Sequence, residues 1–581
     1  MARSGAVPAG FESSRRPPYA ARVEFNLADL FEAVVETVPD AEALVLGEHG
    51  RAVRRLAYTE LDERADRLAH VLVGLGVGAG AHVGLHLRNG LGYIEGMLAL
   101  YKLRATPVNV NHRYVADELR YLFVDADLVA VIAEPEFAPV IASIRGDLPL
   151  LTNVLVHDDG YEAALAAAPA HRVDVGPRAA DDLYLLYTGG TTGMPKGVMW
   201  RHEDIFFASL GGRGTPSQGV PALGQPADIV ERVRRGDPIR RRLPLCPLMH
   251  GGAMWVALQT LLNGGALVLS TDLHFDARDA LALLASERVE LTMLIGDATA
   301  RPIADALADD AGADRRFDLG ALRVIASGGA ILSPAVKQQL VELLPRTKVV
   351  DTFGASETGG QGRLRTGAGG GPPRLITDEH TAVLDDDDRR IVPGSGQRGR
   401  LARTGSIPLG YYKDPVKTAA TFPVIDGVRW SVPGDLAEVD ADGSIILLGR
   451  GAMSINTGGE KVFPEEVEGV LKAHPSVFDA MVVGVPDERF GQRVVAVLAL
   501  RTGGPATAPA TDDGLTAHAR SHLSGYKVPQ DWVRVDRCER LPTGKPDYAW
   551  ATGVARAALG IDDERLTVAP PGPSGTPVRD G

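Results

Sequence analysis

A chain of 581 residues with 45% hydrophobic content can bury more than one core, so two or three domains are expected. A formal charge of -13 gives no general attraction to nucleic acid. The two cysteines, Cys246 and Cys538, lie far apart without CxxC spacing and suggest neither a disulfide framework nor a thiolate zinc site. No eighteen uninterrupted apolar residues occur and the opening MARSGAVPAGFESSRRPPYA has no apolar signal core, so a soluble cytoplasmic protein without membrane insertion is the expectation.

Along the chain, Asn26 offers an N-cap to a helix with Leu27, Leu30, Phe31, Val34 and Val35 at helical spacing. A second helix starts at 59–62 and presents Leu61, Ala65, Leu68 and Leu72 before Gly74, Gly76 and Gly78. Short apolar runs at 83–87, 128–133, 153–156, 183–187, 266–269, 291–295, 322–326 and 348–350 read as buried strands. Helical patterns such as 277–288 separate them, which predicts an α/β fold rich in parallel sheet. The Gly- and Pro-rich stretch 211–226 reads as a surface excursion, and the arginine-dense block 232–242 as a solvated loop. From about Val392 the texture turns to short strands, with a hairpin at 440–443. A smaller unit follows, with a helix starting at Pro464 and strands near 478–484 and 494–500. The boundaries are therefore a disordered terminus over 1–24, a large domain over 25–449, an α+β lid over 450–565 and a disordered tail over 566–581.

The strongest chemical feature is TGGTTGMPKG at 188–197, directly after the apolar run LYLLY. Glycines, the hydroxyls of Thr188, Thr191 and Thr192, and the cation Lys196 suit a loop wrapped around a polyphosphate. It is not a Walker loop, because Lys196 is followed by Gly197 and the glycine spacing differs. GxGxxG at 394–399 follows a proline and leads into no amphipathic helix, so it is turn chemistry. The GxSxG pattern begun at Gly354 fails at Thr358, the acidic run 385–388 lacks calcium-loop spacing, and the fourteen histidines show no zinc spacing.

This phosphate loop resembles that of the adenylate-forming enzymes, a family that includes acyl-CoA synthetases, luciferases and peptide-synthetase adenylation domains. PLMHGGAMW, DTFGASETGG, PGDLAEVD, GRGAMSINTGGEKVFPEEVE and LPTGKPDYAWA follow in the family's order, and the likeness covers about 25–560. YTGGTTGMPKGVMW and INTGGEKVFPEEVE are most similar to actinobacterial fatty-acid and steroid side-chain acyl-CoA synthetases. The resemblance implies ATP, Mg²⁺ and coenzyme A, with a small-molecule carboxylic acid as substrate, and leaves a homo-oligomer open. It implies that Thr188, Gly189, Gly190, Thr191, Thr192, Gly193 and Lys196 hold phosphates and that Glu357 holds Mg²⁺. Ser356 stands where the family often has Thr. The resemblance further implies that Gly329, Ala330, Asp351 and Thr352 flank adenine, that Asp435 binds the ribose and that Arg450 also reaches the nucleotide. By the same resemblance Lys545 would bridge carboxylate and α-phosphate during adenylation, and His250, Met254 and Trp255 would belong to the acyl pocket. It also implies that Gly459 and Lys461 face the CoA side and that Ala452 takes the hinge position where many members carry Asp or Lys. The expected activity is ATP-dependent acyl-CoA synthesis on a largely apolar acid. Transfer to a carrier-protein thiol or an amine, nitrite activation as in diazotases, and non-catalytic ATP binding are the rival readings.

Overall fold

The computed structural model describes residues 24–190, 193–214, 220–236, 239–310, 317–330, 332–365, 374–450, 455–457, 460–487, 491–501, 511–523, 525–541 and 545–561. The chain divides into two compact units, Met1–Gly451 with Pro542–Lys545, and Ala452–Leu541 with Pro546–Gly581.

In the large unit the first helix, Leu27–Thr37, starts where expected: the Asn26 side chain accepts from the N–H groups of Ala28 and Asp29. Its Leu27, Leu30, Phe31 and Val34 are at most 2% exposed, and each such burial contributes roughly 1.5–3 kcal/mol. The second helix, Tyr58–Gly74, packs on Leu91–Lys102. Where these helices meet, the buried Lys102 ammonium is held by Glu32 at 3.0 Å and by Asp62 and Asp66 at 2.8 Å. Three carboxylates around one cation keep this charge tolerable in the interior.

Two sheets flank these helices. Among the described residues, the first is seven-stranded and parallel through its middle: Leu183–Gly190, Thr106–Asn109, His82–His86, Leu128–Ala133 and Asn153–Val156 lie side by side in that order. Gly193–Arg201 and Gly410–Tyr411 extend it antiparallel beyond Leu183–Gly190. The second has thirteen strands among the described residues. Its parallel half contains Ala266–Ser270, Arg241–Pro244, Leu291–Leu294, Val324–Ser327 and Lys348–Ala355, and its antiparallel half runs through Gly359–Arg365 to Asp435–Val439 and Ile445–Arg450. Side-chain alternation assigns the layers. Leu44 and Leu46 face the helical core that also receives Val83 and Leu85, whereas Val45 faces a second core with Leu243 and Leu281. In the small unit, Ala480 and Val482 of strand Val477–Asp487 point to one side of the sheet and Met481, Val483 and Val485 to the other.

The predicted strands and the helix at 277–288 appear close to their expected places, as Ala277–Ser286 for the helix. The hairpin at 440–443 joins two paired strands, and Pro464 opens the helix Pro464–Lys472. One expectation fails. The block 232–242 is solvated only at Arg234, Arg235 and Arg240, with 237–238 outside the described residues: Arg232 is 7% exposed in helix Asp228–Arg235 and donates to the carbonyls of Gly211 and Pro221. Arg242 is 5% exposed in strand Arg241–Pro244 and donates to Gln259, while Arg241 pairs with Glu42 and Glu287. Long guanidinium stems bury well when every head finds an acceptor, and composition alone does not reveal the acceptors.

Candidate active site

The candidate phosphate-loop motif continues an antiparallel strand pair on both sides of residues 191–192. Strand Leu183–Gly190 pairs with Gly193–Arg201 through Thr188 opposite Lys196 to Gly190 opposite Gly193, with an irregularity after Thr188. Tyr184 and Leu186 are buried from one strand and Val198 and Trp200 from the other, so core packing carries the pairing into the glycines, where sequence propensity fades. Gly197 is required by a close approach: a Cβ there would stand 2.7 Å from the Tyr187 ring. Thr191 and Thr192 lie outside the described residues.

Lys196 forms an ion pair with Asp414, and its ammonium lies 5.7 Å from the centroid of the Tyr411 ring. That ion pair, then the Lys417 N–H, hold the Asp414 carboxyl below the usual carboxylate range. At its other end Tyr411 donates through its hydroxyl to Glu357 Oε1 at 2.9 Å. Glu357 and Ser356 sit in the turn between strands Lys348–Ala355 and Gly359–Arg365. That turn is fixed from outside: Trp200 Nε1 donates to the Ser356 carbonyl at 2.9 Å, and Ser431 Oγ to the Glu357 carbonyl at 2.6 Å. The Glu357 carboxylate is half-buried and offers a hard oxygen donor. This fits Mg²⁺, which is commonly bound through one or two carboxylates plus substrate phosphates.

Next to this turn, strand Val324–Ser327 runs parallel to Lys348–Ala355 with Ser327 opposite Asp351. In open α/β sheets ligands bind outside the carboxyl ends of such parallel strands. Thr352 Oγ1 donates to the Ser327 carbonyl at 2.7 Å. Gly329 has φ +78° and open space around a notional Cβ, with Ala330 half-buried beside it. Asp351 is 7% exposed. Burial pushes its carboxyl up to about 6 against the pull of Lys337, 3.8 Å away. Asp435 begins strand Asp435–Val439, is 9% exposed, and is paired through the backbone with Arg450.

His250 is the N-cap residue of helix Gly251–Leu262. Met254 is 1% exposed and turned into the core, whereas Gly252, Trp255, Val256 and Gln259 make a half-exposed face of the same helix. Gly252 and Gly328 both abut Met293, which a Cβ on either would meet at 2.9 and 3.3 Å, and Gly328 also abuts Thr352. This face therefore leads away from Thr352. Lys545 is half-buried, Lys461 lies in strand Glu460–Val462, and Gly459 and Ala452 fall outside the described residues.

Sequence reasoning missed Tyr411, Asp414, Trp200, Ser431 and Met293. Asp414 before Pro415 was readable as a helix cap, a role it fills for Pro415–Thr421, but nothing in that pattern ties it to a lysine 218 residues earlier.

Known proteins share the sequence and fold of this chain. A family model for the AMP-binding enzyme matches residues 31–412, and one for the AMP-binding enzyme C-terminal domain matches 466–545. The 3-oxocholest-4-en-26-oate–CoA ligase of Rhodococcus rhodochrous is 46% identical over 544 residues, covering 90% of this chain and 95% of that protein. A medium/long-chain-fatty-acid–CoA/3-oxocholest-4-en-26-oate–CoA ligase of Mycolicibacterium smegmatis is 44% identical over 548 residues, covering 91% and 96%. The crystal structure of an anthranilate CoA ligase, AuaEII, with anthranoyl-AMP shares the fold, with a TM-score of 0.77 at 23% identity over 93% of this chain and 99% of that one. With two thirds of its length matched by the family model and nearly all of it by these ligases, the chain belongs to the AMP-binding enzyme family.

Proposed function

We propose that this chain is an AMP-forming acyl-CoA ligase. A carboxylate oxygen attacks the α-phosphorus of ATP and pyrophosphate leaves; the thiol of coenzyme A then attacks the acyl carbon and AMP leaves. The observation that carries this reading is the junction at Tyr411, which places the cation Lys196 over its ring and the carboxylate Glu357 at its hydroxyl. A site that brings two anions together needs positive charge held in place beforehand. Thr188 and Lys196 bind the phosphates, exchanging Asp414 for substrate oxygens. Glu357 holds Mg²⁺, which neutralises phosphate charge when bound. Gly329, Ala330 and Thr352 border the adenine, and Asp435 accepts from the ribose hydroxyls, as a carboxylate can. Lys545 supplies the cation for the first step, and the segment with Gly459 and Lys461 serves the second.

The acid is largely apolar, a medium or long aliphatic chain or a steroid side chain. Its wall is the face of helix Gly251–Leu262 carrying Gly252, Trp255 and Val256, together with Met293. The substrates named for the two bacterial relatives fit such a wall. A panel of acids assayed with ATP, Mg²⁺ and CoA for pyrophosphate and thioester tests this: acids of eight or more carbons should exceed acetate at least about tenfold in kcat/KM, the factor of one or two buried methylenes. Acetate or an amino acid performing equally well would defeat the assignment, and pyrophosphate without thioester would point to another acceptor.

The metal role has its own check. Glu357→Gln is expected to raise the Mg²⁺ concentration for half-maximal rate by at least about tenfold, and Tyr411→Phe to shift it the same way by a smaller factor, because it removes only the hydrogen bond that orients the carboxylate. Unchanged Mg²⁺ dependence in both variants would remove Glu357 from the metal site.

A further inference from the structure

The carboxylate of Asp414 holds Lys196, and with the two side chains 31% and 39% exposed the pair stays within reach of a competing anion. The seat of Asp414 is fixed. Strand Gly410–Tyr411 pairs with Met199 and Val198, and the Tyr412 N–H donates to the Gly197 carbonyl at 2.8 Å. Asp127 accepts from the Tyr412 hydroxyl at 2.9 Å and pairs with Lys413 at 2.7 Å. Asp414 itself caps helix Pro415–Thr421, its Oδ1 accepting the Lys417 N–H at 2.8 Å, which leaves Oδ2 to Lys196. The carboxylate is thus anchored along the chain on both sides, whereas the lysine ammonium rides on a flexible stem and can turn to another anion.

Such a pair opens to anions and not to protons. Lys196 and then the Lys417 N–H hold the Asp414 carboxyl below the usual carboxylate range, so it keeps its charge at neutral pH. A polyphosphate sets several charges against this one carboxylate, and half-exposed ion pairs contribute little, on the order of fivefold in an equilibrium constant. The phosphates therefore take the lysine, and the anchored carboxylate stays as the partner to which it returns. A competitor of this kind weakens every phosphate bound at Lys196, substrate and product alike. Looser ATP leaves the chemical step unaffected, because uniform binding lowers KM without raising kcat, while a product held less tightly departs sooner.

Resting on the acyl-CoA ligase reading, we propose that Asp414 is a built-in competitor of the phosphates for Lys196, which loosens ATP binding and speeds the release of pyrophosphate. Asp414 acts on the reaction through Lys196. The segment 410–414 then serves both charges of the site: Tyr411 orients the Glu357 carboxylate through its hydroxyl, and Asp414 sets how firmly Lys196 grips phosphate. The sign of the effect separates this role from a plain supporting one. A carboxylate that only steadied Lys196 in its working position would, once neutralised, weaken ATP binding; a competitor, once neutralised, strengthens it.

The test measures ATP binding by titration calorimetry and product inhibition by pyrophosphate in the wild type and in Asp414→Asn, which removes the charge and keeps an oxygen to cap the helix. Asp414→Ser, also a neutral cap, is the second variant should the first fold poorly. The ATP Kd and the pyrophosphate Ki should both fall by about three- to tenfold, with kcat unchanged or lower. In a Lys196→Met background the same substitution should change the ATP Kd by less than about twofold, because the competition needs the lysine. A Kd or Ki that stays the same or rises overturns the proposal, and so does an equal gain with and without Lys196, which would show bare repulsion of the phosphates. A wild type that binds ATP and releases pyrophosphate but makes no acyl-CoA from any acid defeats the ligase reading and leaves the competitor standing; one that binds no ATP defeats both.

Discussion

Lys545→Ala should lower pyrophosphate release from ATP and acid by on the order of 10²–10³-fold, while thioester formation from a supplied acyl-adenylate and CoA stays near the wild-type rate. Adenylation draws a carboxylate against an α-phosphate, and removing one fixed charge or donor that meets the transition state typically costs about 2.7–4 kcal/mol. Thioester formation begins after that repulsion has been overcome, so the same lysine has no corresponding task there. Lysine suits the role as a compact point charge that can meet both oxygens, and Lys545→Arg is not expected to restore the rate, because its planar fork presents a different geometry. Rapid-quench measurement of both half-reactions decides the matter: equal loss in each would make Lys545 a structural residue.

The second large effect is on stability in acid. His86 ends strand His82–His86, is 0% exposed, and among the described residues neither ring nitrogen has a hydrogen-bond partner. Its ring stacks on Phe137 at 4.2 Å and 13°. Burial, reinforced by His112 and Arg88 and opposed by Glu136, pushes its pKa down to about 3; burial and Arg88 similarly take His112 to about 4. The unfolded chain protonates His86 near its ordinary value of about 6.5 and the folded chain does not. Stability from this group is therefore fully present above about 6.5 and is lost as pH falls toward 3, by on the order of 4 kcal/mol in all. His86→Phe keeps an aromatic ring against Phe137 and removes the titration. Its apparent unfolding midpoint should fall less steeply than the wild type's between pH 6.5 and 4, whatever small packing cost it carries at pH 7. Parallel curves for the two proteins would show that His86 does not govern acid sensitivity.

Local chemistry was legible wherever it acts over a few residues. Asn26 as a cap, the apolar runs that became strands, the turn at 440–443 and the helix opened by Pro464 all depend on near neighbours, and each appears where the pattern places it. The motifs likewise identified Lys196, Glu357 and Asp435 as candidates, because charge of a given sign at a given spacing is written in the chain. Tertiary structure decided what those charges meet. Lys196 finds Asp414, 218 residues away, and the Ser356 carbonyl finds Trp200, 156 residues away. It also decided that Arg232, Arg241 and Arg242 lie against carbonyls, carboxylates and an amide while Arg234, Arg235 and Arg240 stay in water, and that Met254 faces the core while Gln259 ends the open face of its helix. The physical reason is that helix and strand periodicity show which residues share a face, whereas the partner of that face is set by sheet order and packing between segments that no local pattern connects.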